Sequence, residues 1–240
     1  MTLKRLKSII ENSNNIVFFG GAGVSTESNI PDFRSGAGLY NEKNNYKYSP
    51  EYMLSHTFFS AHTHEFFDFY RDKMIYKDAL PNKAHMALAE LERRGKLRTI
   101  ITQNIDGLHQ MAGSKNVLEL HGSVYRNYCI KCHKSFDLEY IMKAESAPKC
   151  DKCGKTVKPD VVLYEEGLDM EVINKAIEYI EAADVLIVGG TSLTVYPAAS
   201  LIQYYRGDKL ILINKSETPY DNEAFLTFND SIGEVLSSVI

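Results

Sequence analysis

Several features that mark whole classes of protein are scarce or missing in this sequence. Among its 240 residues no apolar run approaches the roughly 18 needed for a helix to cross a bilayer, so a helical membrane span is excluded. The opening segment, MTLKRLKSIIENSNN, is amphipathic and lacks both a signal-peptide core and a cleavage site, which predicts a cytoplasmic protein. Positive charge is not in excess. Lys and Arg total 27 against 31 Asp and Glu, a formal net charge of −4, so nucleic acid is not an expected partner and a peptide or small molecule is. No internal repeat occurs, and low complexity is confined to the NEKNNYKY segment, which excludes a solenoid or a disordered scaffold. Cysteine is rare: there are four, in two close pairs, a pattern that favours a metal over a disulfide framework.

What the chain does have is 44% hydrophobic content, enough for one sizeable core with a smaller insertion, and it is expected to act as a monomer. Leu3, Leu6, Ile9 and Ile10 recur at helical spacing, and the apolar run Ile16 to Phe19 then ends at Gly20, Gly21 and Gly23. Further short runs rich in β-branched residues lie at 98–102, 117–120, 185–188 and 210–213. Helical patterns separate several of them, notably 82–94 with Asn82 as N-cap and Gly95 as stop signal, and 171–183. Short apolar strands alternating with helices predict a doubly wound α/β fold, a parallel Rossmann-like sheet covered on both faces.

Two stretches break this rhythm. Residues from about 36 to 79 are dense in aromatics and predict an inserted helical lobe packed over the glycine turn. Residues from about 125 to 158 are lysine-rich, hold all four cysteines and read as an inserted metal module. Cys129-x-x-Cys132 and Cys150-x-x-Cys153, with 17 residues between the pairs, suit two thiolate knuckles closing a tetrahedral zinc site. Four sulfur ligands leave no open position, so the single Zn²⁺ is expected to be structural.

The glycine turn after Phe19 puts small residues where backbone N–H groups can approach a pyrophosphate at a helix N-terminus. Taken alone, Gly21-x-Gly23-x-x-Thr26 departs from the usual dinucleotide fingerprint at its last position, and no acidic residue falls at the usual offset for a ribose. A second cluster, Gly190-Thr191-Ser192, follows the run 185–188, and Asn214 ends the run 210–213. Ligands of such sheets bind beyond the carboxyl ends of the strands, so three polar or glycine-rich strand ends together favour a nucleotide.

The segments GAGVST (21–26), PDFRS (31–35), TQNID (102–106), HGS (121–123), the cysteine pairs and GTSLTVYP (190–197) follow one another in the order of the sirtuin family. The chain resembles that family nearly end to end, and most closely its bacterial undifferentiated class. The resemblance implies an NAD-dependent protein lysine deacylase acting on acetylated proteins or peptides. In the family the acetyl oxygen attacks the ribose carbon bearing nicotinamide, nicotinamide leaves, and an alkylamidate forms. By this resemblance His121 is the general base, with an intrinsic pKa suited to cytoplasmic pH. Asn104 and Asp106 line the nicotinamide pocket, flanked by Gln103 and Ile105. Phe33 shields the reactive ribose carbon, and Asp32 and Arg34 hold the loop and the phosphates. Ala22, Thr26, Gly190, Thr191, Ser192 and Asn214 complete the NAD contacts. The stretch 158–166 matches the substrate-binding strand, with Val161, Leu163 and Tyr164 lining the acyl-lysine tunnel and pairing the peptide by β-augmentation. Gly36, Ala37 and Gly38 allow hinge motion, which makes the segment up to Tyr40 a lid.

This sequence also departs from the family. Gly20 stands where Thr is common, Asn29 where Gly is usual, and Glu165 where Gly is frequent. Asn tolerates a left-handed backbone, so Asn29 is expected to keep the loop shape, and the charge of Glu165 favours basic peptides. Members that remove succinyl or malonyl groups carry a Tyr-x-x-Arg pair on the helix before PN-x-AH. Here Phe67 and Tyr70 take that register, which predicts neutral acyl groups. Two other readings remain at this point: mono-ADP-ribosyl transfer from the same pocket, and a non-catalytic NAD-sensing module.

Overall fold

The computed structural model describes residues 2–36, 38–41 and 46–240. In chain order its elements are α1 (Thr2–Asn12), β1 (Ile16–Gly20), α2 (Pro50–Met53), α3 (His56–Ala61), α4 (Thr63–Lys73), α5 (Lys83–Arg93), β2 (Leu97–Thr102), α6 (Leu108–Met111) and β3 (Val117–Glu119). There follow β4 (Gly122–Cys129), β5 (Ser135–Phe136), α7 (Leu138–Lys143), β6 (Val157–Val161), α8 (Met170–Ala182), β7 (Val185–Gly189), β8 (Leu210–Ile213), β9 (Leu226–Phe228) and α9 (Ile232–Ser237).

Six of the strands form a parallel sheet in the order β3-β2-β1-β7-β8-β9. Side chains of a strand alternate between faces, and β1 shows the result. Ile16 and Phe18 pack with Leu6 and Ile10 of α1, Leu88 and Leu91 of α5, and Ile232 and Leu236 of α9. Val17 and Phe19 pack on the other side with Ala176 and Ile180 of α8 and Leu201 of a 3-10 turn. Burial on both faces is why these strands read as continuous apolar runs. Strand order reverses between β1 and β7, and a crevice opens there at the carboxyl ends of the strands.

A second body holds the antiparallel sheet β5-β4-β6. Its core joins the two irregular stretches. Phe58, Phe66, Phe67 and Tyr70 of the aromatic helices pack in one cluster with Ile141, Val157, Cys129 and Cys150. The hinge proposed at 36–38 is only partly visible: Ala37 lies outside the described residues, as do 42–45 of the NEKNNYKY segment. Gly38 is closely packed, since a Cβ there would come within 2.7 Å of Arg34 N.

Three features differ from the sequence reading. The glycine turn leads into two 3-10 turns, Ala22–Val24 and Thr26–Ser28, and not into an α-helix, so no helix N-terminus faces the crevice there. The strand expected over 158–166 ends at Val161, and Tyr164 makes an isolated parallel bridge with Ser55. Strand β9 and helix α9 had no clear sequence signal. Asn29, as expected of it, adopts a left-handed backbone with φ 62°.

Helix α5 carries a buried histidine pair. Asn82 caps the helix, accepting from Ala84 N at 2.9 Å, while His85 Nδ1 accepts from Asn82 N at 3.2 Å. The His85 ring lies 4.7 Å from that of His109 on α6, and both are buried. Burial holds His85 down at about 4, and burial together with His85 holds His109 at about 3, so both are neutral at pH 7. In the unfolded chain each takes a proton near pH 6.5, and each unit of difference is worth about 1.4 kcal/mol. The unfolded state therefore binds more protons on acidification. Stability should be full above about pH 6.5 and fall steadily towards pH 4. Urea midpoints measured across that window test this, and a flat profile would speak against it.

Candidate functional site

The crevice at the strand switch widens into a cleft of about 1070 Å³ between the two bodies. Its floor is built by glycine. Gly23 N donates to Gly190 O at 2.7 Å, and Gly190 has φ 62°, a left-handed value that favours glycine. A Cβ on Gly190 would lie 2.4 Å from Val24 N, so the two loops interlock only without side chains. Gly20 is explained locally: the ring of Phe18 fills the space its Cβ would take, at 2.6 Å.

From the end of β2 the TQNID segment crosses this floor. Gln103 N donates to Gly20 O at 3.0 Å, and its Nε2 donates to Thr191 Oγ1 at 3.1 Å. Asn104 Nδ2 donates to Gly21 O at 3.1 Å and to Ser25 Oγ at 2.9 Å. Ser25 Oγ in turn donates to Asp106 Oδ2 at 2.6 Å, and Asp106 Oδ1 accepts from Leu108 N at 2.9 Å. Burial raises the Asp106 pKa, and the bonds from Ser25 and Leu108 oppose that rise.

His121 follows β3 and precedes Gly122, whose φ of 75° and closeness to Asp160 O exclude a side chain. Its Nδ1 lies 2.8 Å from Gln103 O. A carbonyl can only accept, so Nδ1 carries the proton and Nε2 keeps its lone pair. Burial lowers the His121 pKa against the raising effect of the Gln103 bond, and the ring is therefore neutral at pH 7. A fixed tautomer with a free lone pair in a cleft is a general-base arrangement.

Asn214, at the end of β8, accepts from Thr191 N at 2.9 Å through Oδ1. Its buried Nδ2 has no partner, an orphan donor at the cleft wall that a polar ligand would satisfy. On the near side Asp32 Oδ1 accepts from Arg34 N at 2.9 Å and Ser35 N at 2.7 Å, which folds the PDFRS loop over the cleft. The opposite wall is the stretch from Val161 to Tyr164, where Val161 and Leu163 are buried and Tyr164 is half-exposed.

No cysteine lines the cleft. The four Sγ atoms lie within 4.8 Å of one another, with Cys129 to Cys153 at 3.3 Å and Cys132 to Cys150 at 3.6 Å. A zinc tetrahedron with bonds of about 2.3 Å sets its sulfurs about 3.8 Å apart, so the four thiols fit that ion.

With this geometry in place, comparison with known proteins is decisive. A Sir2 family model matches residues 21–197. The chain belongs to the Sir2 family. A Clostridium acetobutylicum protein named NAD-dependent protein deacetylase is 68% identical over 239 residues, covering 99% of this chain and 98% of its own. A Clostridium tetani protein of the same name is 68% identical over 240 residues, covering 100% and 97%. Among solved structures, Sir2 with deacetylated p53 peptide and 3'-O-acetyl ADP-ribose superposes with a TM-score of 0.90 at 39% identity, covering 100% and 97%. A Sir2 homolog in complex with NAD gives 0.88 at 43% identity, covering 98% and 91%.

Within this Sir2 cleft lie all the residues singled out for NAD and peptide: Ala22, Thr26, Asp32 to Arg34, Gln103 to Asp106, His121, Val161, Leu163, Tyr164, Gly190 to Ser192 and Asn214. Val162, between Val161 and Leu163, also lines it. Phe67 and Tyr70 do not: both are fully buried in the second core, away from the cleft. The exposed Glu165 carboxylate accepts from Thr57 N at 2.9 Å and Thr57 Oγ1 at 2.7 Å, bonds that lower its pKa and fix its negative charge at the cleft wall. Ser25 and Tyr40 were missed by sequence reasoning. Ser25 lay inside a quoted motif, but nothing local announced its bonds to Asn104 and Asp106.

Proposed function

We propose that this Sir2 chain is an NAD-dependent protein lysine deacetylase that transfers the acetyl group of an acetyl-lysine peptide to ADP-ribose and releases nicotinamide. The observation that carries this reading is the neutral His121, held with Nε2 free in the same cleft as the Asn104, Ser25 and Asp106 network. The names of its relatives agree with it.

When bound, NAD would supply the ribose carbon to which the acetyl oxygen bonds and nicotinamide as leaving group, and one water would be consumed as the amide C–N bond breaks and free lysine leaves. The chain's own residues do the rest. Gly21 to Thr26, Gly190 to Ser192 and Asn214 hold the dinucleotide, with the orphan Asn214 Nδ2 as a waiting donor. Asp32 shapes the loop that carries Phe33 and Arg34. Asp106 accepts from the nicotinamide amide, and Asn104 orients a ribose hydroxyl. His121 Nε2 takes the proton from that ribose, with Gln103 O stabilising the charge on its Nδ1 side. Val161, Leu163 and Tyr164 flank the acyl-lysine stem. The four cysteines hold Zn²⁺ as a structural ion.

We place one catalytic domain over 1–240, with the helical lobe at about 36–79 and the zinc module at about 125–158. No helix among the described residues is long and apolar enough to cross a membrane. A cytoplasmic monomer acting on acetylated proteins, with no nucleic-acid partner, suits the charge balance and the clustering of all four cysteines in one metal-type site.

The test is to follow deacetylated peptide, nicotinamide and acetyl-ADP-ribose together, with and without NAD. Equal amounts of all three, dependent on NAD, support the reading. Nicotinamide formed without peptide deacetylation would put ADP-ribosyl transfer in its place, and NAD binding with no turnover would point to a sensing module.

Acetyl peptides should be turned over at least about tenfold faster than succinyl peptides, since a carboxylate left without a cationic partner costs about that much. The acyl-lysine stem would pass the buried apolar side chains of Val161 and Leu163, which offer a carboxylate no partner, and the Arg71 guanidinium is committed to Asp68, Ile141 O and Ser146 O. Comparable rates on the two acyl groups would contradict this.

A further inference from the structure

We propose that Tyr164 is a positioning residue for the cofactor loop: its hydroxyl, bonded to that of Tyr40, holds the Asp32 to Ser35 loop in its NAD-binding shape. The proposal rests on the reading of the cleft as the NAD site and gives a peptide-wall residue a second task.

The two sides of this bond differ in how they are held. The wall is fixed from several directions. Tyr164 N donates to Leu54 O and its carbonyl accepts from His56 N, each at 3.0 Å. Next along the chain, Glu165 is anchored to Thr57 at 2.7 and 2.9 Å, although its φ of 75° disfavours a side chain. Glu166 accepts from Leu163 N at 2.9 Å and is paired with His56 at 2.9 Å and Lys158 at 3.0 Å.

The loop, by contrast, is held mostly by itself. Its bonds run from Asp32 Oδ1 to the amides of Arg34 and Ser35, from Leu39 N to Asp32 O, and from Asn41 Nδ2 to Arg34 O and Ser35 O. Arg34 and Ser35 are exposed. Tyr40 is where this turn meets the wall. Its N–H donates to Phe33 O at 2.9 Å, its ring meets Phe33 edge-on at 5.5 Å, and the Arg34 guanidinium lies 5.9 Å from it. Tyr40 OH and Tyr164 OH are hydrogen-bonded to each other. The Tyr40 ring is half-buried, and burial and the Tyr164 hydroxyl both raise its pKa, so Tyr40 keeps its proton. Phe33 and Arg34, the two loop residues directed to the cofactor, are thus tied through one ring to a rigid wall.

The experiment is a cycle of Tyr40→Phe, Tyr164→Phe and the double variant, each change removing one oxygen and no carbon. NAD affinity is measured by calorimetry with and without peptide, and hydrogen exchange is followed at the Arg34 and Ser35 amides. Each single variant should weaken NAD binding about threefold to tenfold, the range of one net hydrogen bond. The double variant should be no worse than either single, because both remove the same bond. Arg34 and Ser35 should exchange faster in all three, and the loss of NAD affinity should be the same whether or not peptide is present. Additive losses, unchanged NAD affinity, or a loss seen only with peptide present would overturn the proposal. If wild type bound no NAD, the reading of the cleft would fall, and the exchange rates would still decide whether the pair holds the loop.

Discussion

Replacing His121 with alanine should lower kcat/KM for acetyl-peptide turnover by about 10²- to 10⁴-fold, the range contributed by a positioned general base. The ring is fixed by one bond, Nδ1–H to Gln103 O at 2.8 Å, and that bond selects the tautomer that leaves Nε2 basic. An asparagine could keep a donor near Gln103 O but could not act as base, so His121→Asn should be nearly as slow as His121→Ala. NAD binding by both variants should persist, because the glycine floor and the Asn214 wall do not depend on this ring. The pH profile adds a second check. Burial lowers the pKa of His121, so the neutral, active form survives further into acid than an exposed histidine would. The acid limb of kcat/KM should lie below about pH 6.5. An acid limb above that value, or a variant within tenfold or so of wild type, would remove His121 from the role of base.

Stripping the zinc should cost the protein much of its second body. Cys129 and Cys150 are buried in the same cluster as Phe66, Phe67, Tyr70 and Val157, so the metal site is part of the wall of that core. Four thiols within 4.8 Å of one another without a cation would repel as they ionise, and the knuckles would separate. A loss of about 4 kcal/mol in a chain of this size corresponds to a fall in Tm of about 10 °C. Thermal melts with and without a strong chelator should show a fall of at least that order, with release of one zinc per chain. Deacetylase activity should decline with it even though no cysteine reaches the cleft, because β6 leads directly into the peptide wall. Unchanged Tm after complete metal removal would show that the thiols do not carry this load.

Much of the sheet was legible because β1, β2, β7 and β8 are buried on both faces and so announce themselves as apolar runs. Strand β9 was not, since Leu226-Thr227-Phe228 is three residues long at the sheet edge and has no such run. The turn after β1 was misread for a different reason. A glycine-rich segment at a strand end suggests a helix start, but the contact between Gly23 and Gly190 forces two 3-10 turns, and that contact spans more than half of the chain. The site was legible to the extent that its residues sit in compact motifs: TQNID, HGS and the cysteine pairs each bring neighbours in sequence to neighbouring places. Ser25 and Tyr40 were hidden because their partners, Asp106 and Tyr164, are 81 and 124 residues away. Phe67 and Tyr70, which take the register of the Tyr-x-x-Arg pair, turn both rings into the aromatic core, a placement set by packing partners distant in sequence.

The helical lobe and the zinc module share a single core, and the chain passes between that core and the large sheet four times, near 25–32, 76–83, 121–123 and 164–171. Any rocking of one body on the other has to bend at all four crossings together, and a crossing of few residues can bend least. The shortest joins β3 to β4 through Leu120 and His121 alone. That places His121 at the fulcrum, the part of the cleft that would move least if one body rocked on the other.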